Sequence, residues 1–107
     1  MMDDRFSYAS LAASADRERF ASELQDVLTQ RLRGAADPVR ECRVVVDELR
    51  VLGHDLWSFD ESTDFQIWCG DYVNRRQRWE LILHLSYPED EPPAAEVSVR
   101  EYPEIDR

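Results

Sequence analysis

Residues 79–87 read Trp79-Glu80-Leu81-Ile82-Leu83-His84-Leu85-Ser86-Tyr87. Trp79, Leu81, Leu83, Leu85 and Tyr87 alternate with Glu80, Ile82, His84 and Ser86. This period of two puts one set on a buried sheet face and the other set opposite. The run predicts a strand, and its parity organises what surrounds it. Downstream, Ala95, Val97 and Val99 alternate with Glu96, Ser98 and Arg100, which predicts a neighbouring strand. Upstream, Phe65, Ile67 and Cys69 alternate with Gln66 and Trp68. Leu56 to Phe59 reads as a further short strand, followed by the polar loop Asp60-Glu61-Ser62-Thr63-Asp64. Connections of about five residues suit antiparallel neighbours.

Before residue 54 the apolar period is helical. Phe20, Leu24, Val27, Leu28 and Leu32 recur on one face of residues 14–33. Ser14 is placed to cap that helix, Asp16 and Glu18 lie in its first turn, and Gly34 follows its end. A second helix is expected over 38–52, with Asp37 as cap, Pro38 at the first position and Gly53 as terminator. Its stripe is Val39, Cys42, Val45, Val46, Leu49 and Leu52. The β-branched run Val44-Val45-Val46 keeps a strand over 42–52 open as the alternative. The expected fold is α+β: two N-terminal helices packed on one face of a four-stranded antiparallel β-meander, an ααββββ two-layer sandwich. The 107 residues suit a single domain spanning 1–107, with a flexible N-terminus at 1–13 and a frayed C-terminus at 103–107.

If helices cover one sheet face, the other is open to water. By the parity above, the open face carries Gln66, Trp68, Glu80, Ile82, His84, Glu96, Ser98 and Arg100. Trp68 and Ile82 are unusual on a solvated surface, and apolar side chains ringed by polar ones mark interaction sites. The opposite parity in the second strand would instead place Trp68 in the core.

The formal net charge is −10, and every one of the 13 basic residues is Arg. Residues 1–53 sum to −2, residues 54–87 to −3 and residues 88–107 to −5, so the excess lies beside the predicted sheet. Such a chain has no general attraction to nucleic acid or anionic lipid, both of which are polyanions. No apolar run approaches the ~20 residues of a membrane span. The start Met1-Met2-Asp3-Asp4-Arg5 is acidic and has no long apolar core, so no secretory signal is expected. Two cysteines make no disulfide framework, so a cytoplasmic protein with free thiols is expected.

Catalytic motifs are scarce. Cys42, His54, Cys69 and His84 lack the close-spaced pairs of a zinc site. Asp60-Glu61 and Asp64 lack the glycine and terminal Glu of a calcium loop. Cys69 and His84 fall on opposite faces by the parity above, so no thiol–imidazole pair is expected. No cofactor and no metal is called for. Interface residues are plentiful. Asp55, Asp60, Glu61, Asp64 and Asp71 form an acidic set around one end of the sheet. Trp68 and Tyr72 are expected beside it, partly exposed, and Tyr, Trp and Arg commonly anchor protein interfaces. Arg75, Arg76 and Arg78 form the single basic cluster, suited to pairing with the chain's own acids or with a partner's acidic patch.

The function expected is a small acidic protein-binding module, an inhibitor of the immunity-protein or antitoxin type that occludes a basic surface on its partner. A phage-encoded inhibitor of a host nucleic-acid-processing machine or a non-catalytic accessory subunit would share this composition. A small enzyme using Asp71 and His84 is a further alternative.

Overall fold

The computed structural model describes residues 2–101. Strands β1 (Trp57–Ser62), β2 (Ile67–Asn74), β3 (Trp79–Ser86) and β4 (Ala94–Glu101) form one antiparallel sheet in sequence order. Helices α1 (Tyr8–Ala13), α2 (Arg17–Arg33) and α3 (Pro38–Leu52) precede it, after a 3₁₀ turn at Asp4–Phe6. N-terminal helices followed by a four-stranded meander is the α+β arrangement that the periodicities predict.

Helix α3 runs between the expected punctuation marks. The Asp37 side chain accepts the Arg40 N–H at 3.2 Å, and the Gly53 N–H closes the last turn on Leu49. The valine run is helical because Val45, Val46 and Leu49 share one face that is buried without remainder, and packing outweighs β-branched preference. Helix α2 starts later than expected. Asp16 rather than Ser14 caps it, accepting the Arg19 N–H at 3.0 Å, while the Ser14 hydroxyl donates to the Asp16 carbonyl.

Of the segment 1–13 expected as a flexible lead, the described residues include a 3₁₀ turn and a short helix packed on the core. The 3₁₀ turn and α1 carry Phe6 and Leu11 into the core, at 3% and 2% exposure, and Met2 is buried as well. The Phe6 ring meets Phe20 of α2 edge-on. Burial of these side chains holds segments too short to be helical alone. The frayed end expected at 103–107 lies outside the described residues.

All three helices lie on one side of the sheet. Leu24, Leu28 and Leu32 of α2 and Cys42, Val45 and Leu49 of α3 pack over Trp79, Leu81, Leu83 and Leu85 of β3. Helix α2 also closes the β4 edge. Its Gln25 side chain accepts the Val97 N–H at 2.9 Å, and Thr29 both accepts from and donates to the Ala95 backbone. These bonds satisfy backbone groups that an edge strand otherwise offers to other chains. Between α2 and α3, Arg31 spans Glu41 and Glu48, donating to Glu48 through two nitrogens.

Candidate functional site

The sheet face turned away from the helices is covered by no element among the described residues. Strand register sorts its side chains into rows. Asp60, Cys69, His84 and Glu96 stand directly opposite one another across the four strands. Ser58, Asp71, Ile82 and Ser98 form the next row, and Val73, Glu80 and Arg100 the one after. Directly opposed side chains on one face have Cβ atoms about 5 Å apart, so each row is a line of touching neighbours.

Two predicted placements on β2 are corrected by this register. Trp68 lies on the helix side, 8% exposed, and Cys69 lies on the open face. Phe65 misleads the parity. It sits in the β1–β2 turn at 82% exposure, beside Gln66 with its φ of 54°, so Phe65-Ile67-Cys69 is not one strand face. Consequently Cys69 and His84 do not fall on opposite faces, and each is the other's cross-strand partner. Glu80, Ile82, His84, Glu96, Ser98 and Arg100 occupy the open face as the β3 and β4 alternation predicts.

The acidic set does not gather at one end of the sheet. Antiparallel hairpins turn at alternate ends. Asp64 therefore lies in the β1–β2 turn, and Asp55, ahead of β1, lies toward the end where Arg75, Arg76 and Arg78 connect β2 to β3. The eight residues of β2 separate these ends by about 25 Å at ~3.3 Å per residue. Glu61 faces the helix side and accepts a hydrogen bond from the Tyr87 hydroxyl. Tyr72 is not partly exposed. It sits in the aromatic core at 1% exposure, 5.6 Å from the Trp57 ring and 6.2 Å from Trp79. Of the ten predicted contact residues, Asp60 and Asp71 share the open face.

The electrostatic centre of that face is Asp71 with Glu80. Glu80 is 6% exposed, and Arg100 approaches it at 3.6 Å. Burial, reinforced by the hydrogen bond and the negative charge of Glu80, pushes the Asp71 carboxyl up to about 6, against the pull of Arg100. Asp71 Oδ1 is buried with no hydrogen-bond partner. These groups, with Ser58, Asp60, Cys69 and Ile82, line a shallow depression of about 290 Å³. Glu80, Glu96 and Cys69 are the members that a search for charge runs passes over, because they are adjacent only through strand register. Among the described residues no group of His, Cys, Asp and Glu is arranged to hold a metal ion. No helix is long and apolar enough to cross a membrane.

Four carboxylates (Asp60, Asp71, Glu80 and Glu96) thus oppose one guanidinium on this face, with Ile67, Val73 and Ile82 half-buried between them. Such a surface can dock a cationic counterpart over an apolar contact. Comparison with protein-family models, curated proteins and solved structures finds no match to the chain.

Proposed function

We propose that this chain is a small acidic protein-binding module that neutralises a partner by laying its uncovered sheet face over a basic functional surface, in the manner of a bacterial immunity protein or antitoxin. It works in the cytoplasm by occlusion and needs no cofactor. The observation that supports this reading is the composition of the open face. The carboxylates of all four strands supply long-range attraction to a basic surface, and the isoleucines and valine between them supply apolar area on contact. The helix side and the β4 edge are already occupied by packing and by Gln25 and Thr29.

The test begins with the partner captured on the immobilised chain, then identified and purified. Association is followed by surface plasmon resonance across a salt series, beside an assay of the partner's own activity. Association is expected to slow as salt rises. Asp60 and Glu96 are exposed and not packed in the core, so Asp60→Arg with Glu96→Arg leaves the urea midpoint near that of the parent chain. The pair is expected to slow association about tenfold or more at low salt. Binding that ignores both salt and charge reversal overturns occlusion by this face, as does a bound partner that keeps full activity.

A further inference from the structure

The hydrogen-bond ladder of the sheet can be followed from one edge to the other. On β4, the N–H groups of Ala95 and Val97 bond to Thr29 and Gln25 of α2, so these residues turn their backbone groups away from β3. In an antiparallel sheet, successive residues bond alternately to one neighbouring strand and to the other. Glu96 therefore bonds to His84, Leu83 to Gly70, and Cys69 to Asp60. The register is unbroken across all three pairings, so the alternation carries through to β1. There Ser58 and Asp60 bond inward to β2, and Trp57, Phe59 and Glu61 turn their N–H and C=O groups outward.

The two edges of the sheet differ. On β4 the outward groups are taken up by Gln25 and Thr29. On β1, among the described residues, no hydrogen bond reaches the outward backbone groups of Trp57, Phe59 and Glu61. Strand β1 also has no proline, no basic residue and no bulge, the devices that commonly close an edge to other chains. Its charges are Asp60 on the open face and Glu61 on the helix side, within a chain of net charge −10. A second copy would bring the same acids and the same net charge. The complement of this edge is a basic strand.

We propose that the basic partner inferred above adds an extended segment to the β1 edge as a fifth strand, hydrogen-bonded to Trp57, Phe59 and Glu61. This binding mode rests on that reading of the partner and refines it. Side chains of the added strand alternate between the two faces. Those on the helix side stand beside Trp57 and Phe59, whose rings stack at 5.4 Å, and are apolar. Those on the open face extend the rows of Ser58 and Asp60. The residue opposite Asp60 falls in a non-hydrogen-bonded pair, where side chains approach most closely, and it is Arg or Lys. Main-chain bonds supply affinity in such an addition, and the alternating side chains supply specificity.

The test uses the full chain and a capped synthetic hexapeptide of alternating Arg and Val, followed in nitrogen–proton correlation spectra. In the free chain the N–H groups of Phe59 and Glu61 are expected to exchange with solvent faster than those of Ser58 and Asp60. The reverse order overturns the edge assignment. The peptide is expected to shift the Phe59 and Glu61 signals saturably, with a Kd on the order of 0.1–1 mM. The same peptide with Glu in place of Arg is expected to bind about tenfold more weakly. Glu61→Pro removes one outward N–H, which an edge strand tolerates, and is expected to abolish binding while Glu61→Gln retains it. Asp60→Arg keeps the backbone donors and is expected to weaken binding about threefold or more, whether or not the proline variant folds. Glu96→Arg, on the far edge strand, is expected to leave peptide binding unchanged while it slows association of the partner with the open face, so the two readings fail separately. No saturable shift overturns the proposal, as does equal binding of the Glu peptide or binding that survives both β1 variants. A dimer of the chain alone in sedimentation, with the Phe59 and Glu61 amides protected, would give the edge to a second copy and overturn it as well.

Discussion

Gly70 of β2 lies directly opposite Phe59 of β1, and the Phe59 ring occupies the space of the missing side chain: a Cβ at residue 70 would sit 2.3 Å from the ring's Cε1. The ring cannot retreat freely, since it stacks on Trp57 at 5.4 Å. Gly70→Ala must therefore displace an aromatic pair on the core side, and overpacking of this kind costs about 1–3 kcal/mol. Urea denaturation measures it. A loss well under 1 kcal/mol would mean that the β1–β2 register differs from the one described.

The Asp71–Glu80 pair makes stability depend on pH with a definite sign. An ordinary aspartate releases its proton near 3.8, whereas burial and Glu80 hold Asp71 up to about 6. Between these values the folded chain binds a proton that the unfolded chain has lost, so this group's contribution to stability falls as pH rises from about 4 to about 6. Discounted for solvent screening at a half-buried site, the effect is on the order of 1 kcal/mol. Asp71→Asn keeps a donor toward Glu80 and removes the titration. Across urea midpoints at pH 4, 5, 6 and 7, the variant is expected to gain on the parent chain as pH rises through that window. Parallel profiles would show that the two carboxyl groups do not interact.

The legible parts of the fold were those where one signal dominates. In β3 the leucines alternate over the whole strand, and α3 has both a cap and a terminator, so α3 matches its predicted extent and β3 stops one residue short of Tyr87. In β2 apolar residues fall on both sides, and the parity turned on Phe65, whose place in a turn depends on the positive φ of Gln66. The Asp60–Cys69–His84–Glu96 row exists only through strand register, and shifting one strand by one residue disperses it. The N-terminal segment shows no period because Phe6 and Leu11 belong to two elements, each shorter than two helical turns.

The Arg31 fork ties α2 to α3. Its three side chains are 22%, 25% and 18% exposed for Arg31, Glu41 and Glu48, so the ions are largely desolvated. Arg31→Gln leaves two carboxylates facing each other without their shared cation, and a loss of about 1–3 kcal/mol is expected at pH 7. The hydrogen bonds from Arg31 hold the Glu48 carboxyl below its ordinary 4.5. That contribution is present above the ordinary value and disappears as pH falls through the lowered one, so the variant has the shallower acid limb. Adding Glu48→Gln to Arg31→Gln is expected to cost less than the two single changes together. Strict additivity in urea denaturation would refute the coupling.

The two thiols differ in environment, and a thiol reagent reads the difference directly. Cys42 is fully buried in α3, and burial with the charges of Glu41 and Glu61 pushes its thiol up to about 12. Cys69 is exposed at the centre of the open face. The thiolate is the reacting species, so burial and the raised pKa both protect Cys42. Native chain treated with Ellman's reagent at pH 8 is expected to release one equivalent quickly and the second only after denaturation. Mass spectrometry is expected to place the first adduct on Cys69. An adduct there stands between Asp60 and His84, within the surface proposed to meet the partner. It should therefore abolish partner capture until the thiol is restored by reduction. Two fast equivalents would contradict the burial of Cys42, and undiminished capture by the Cys69 adduct would remove the open face from the partner interface.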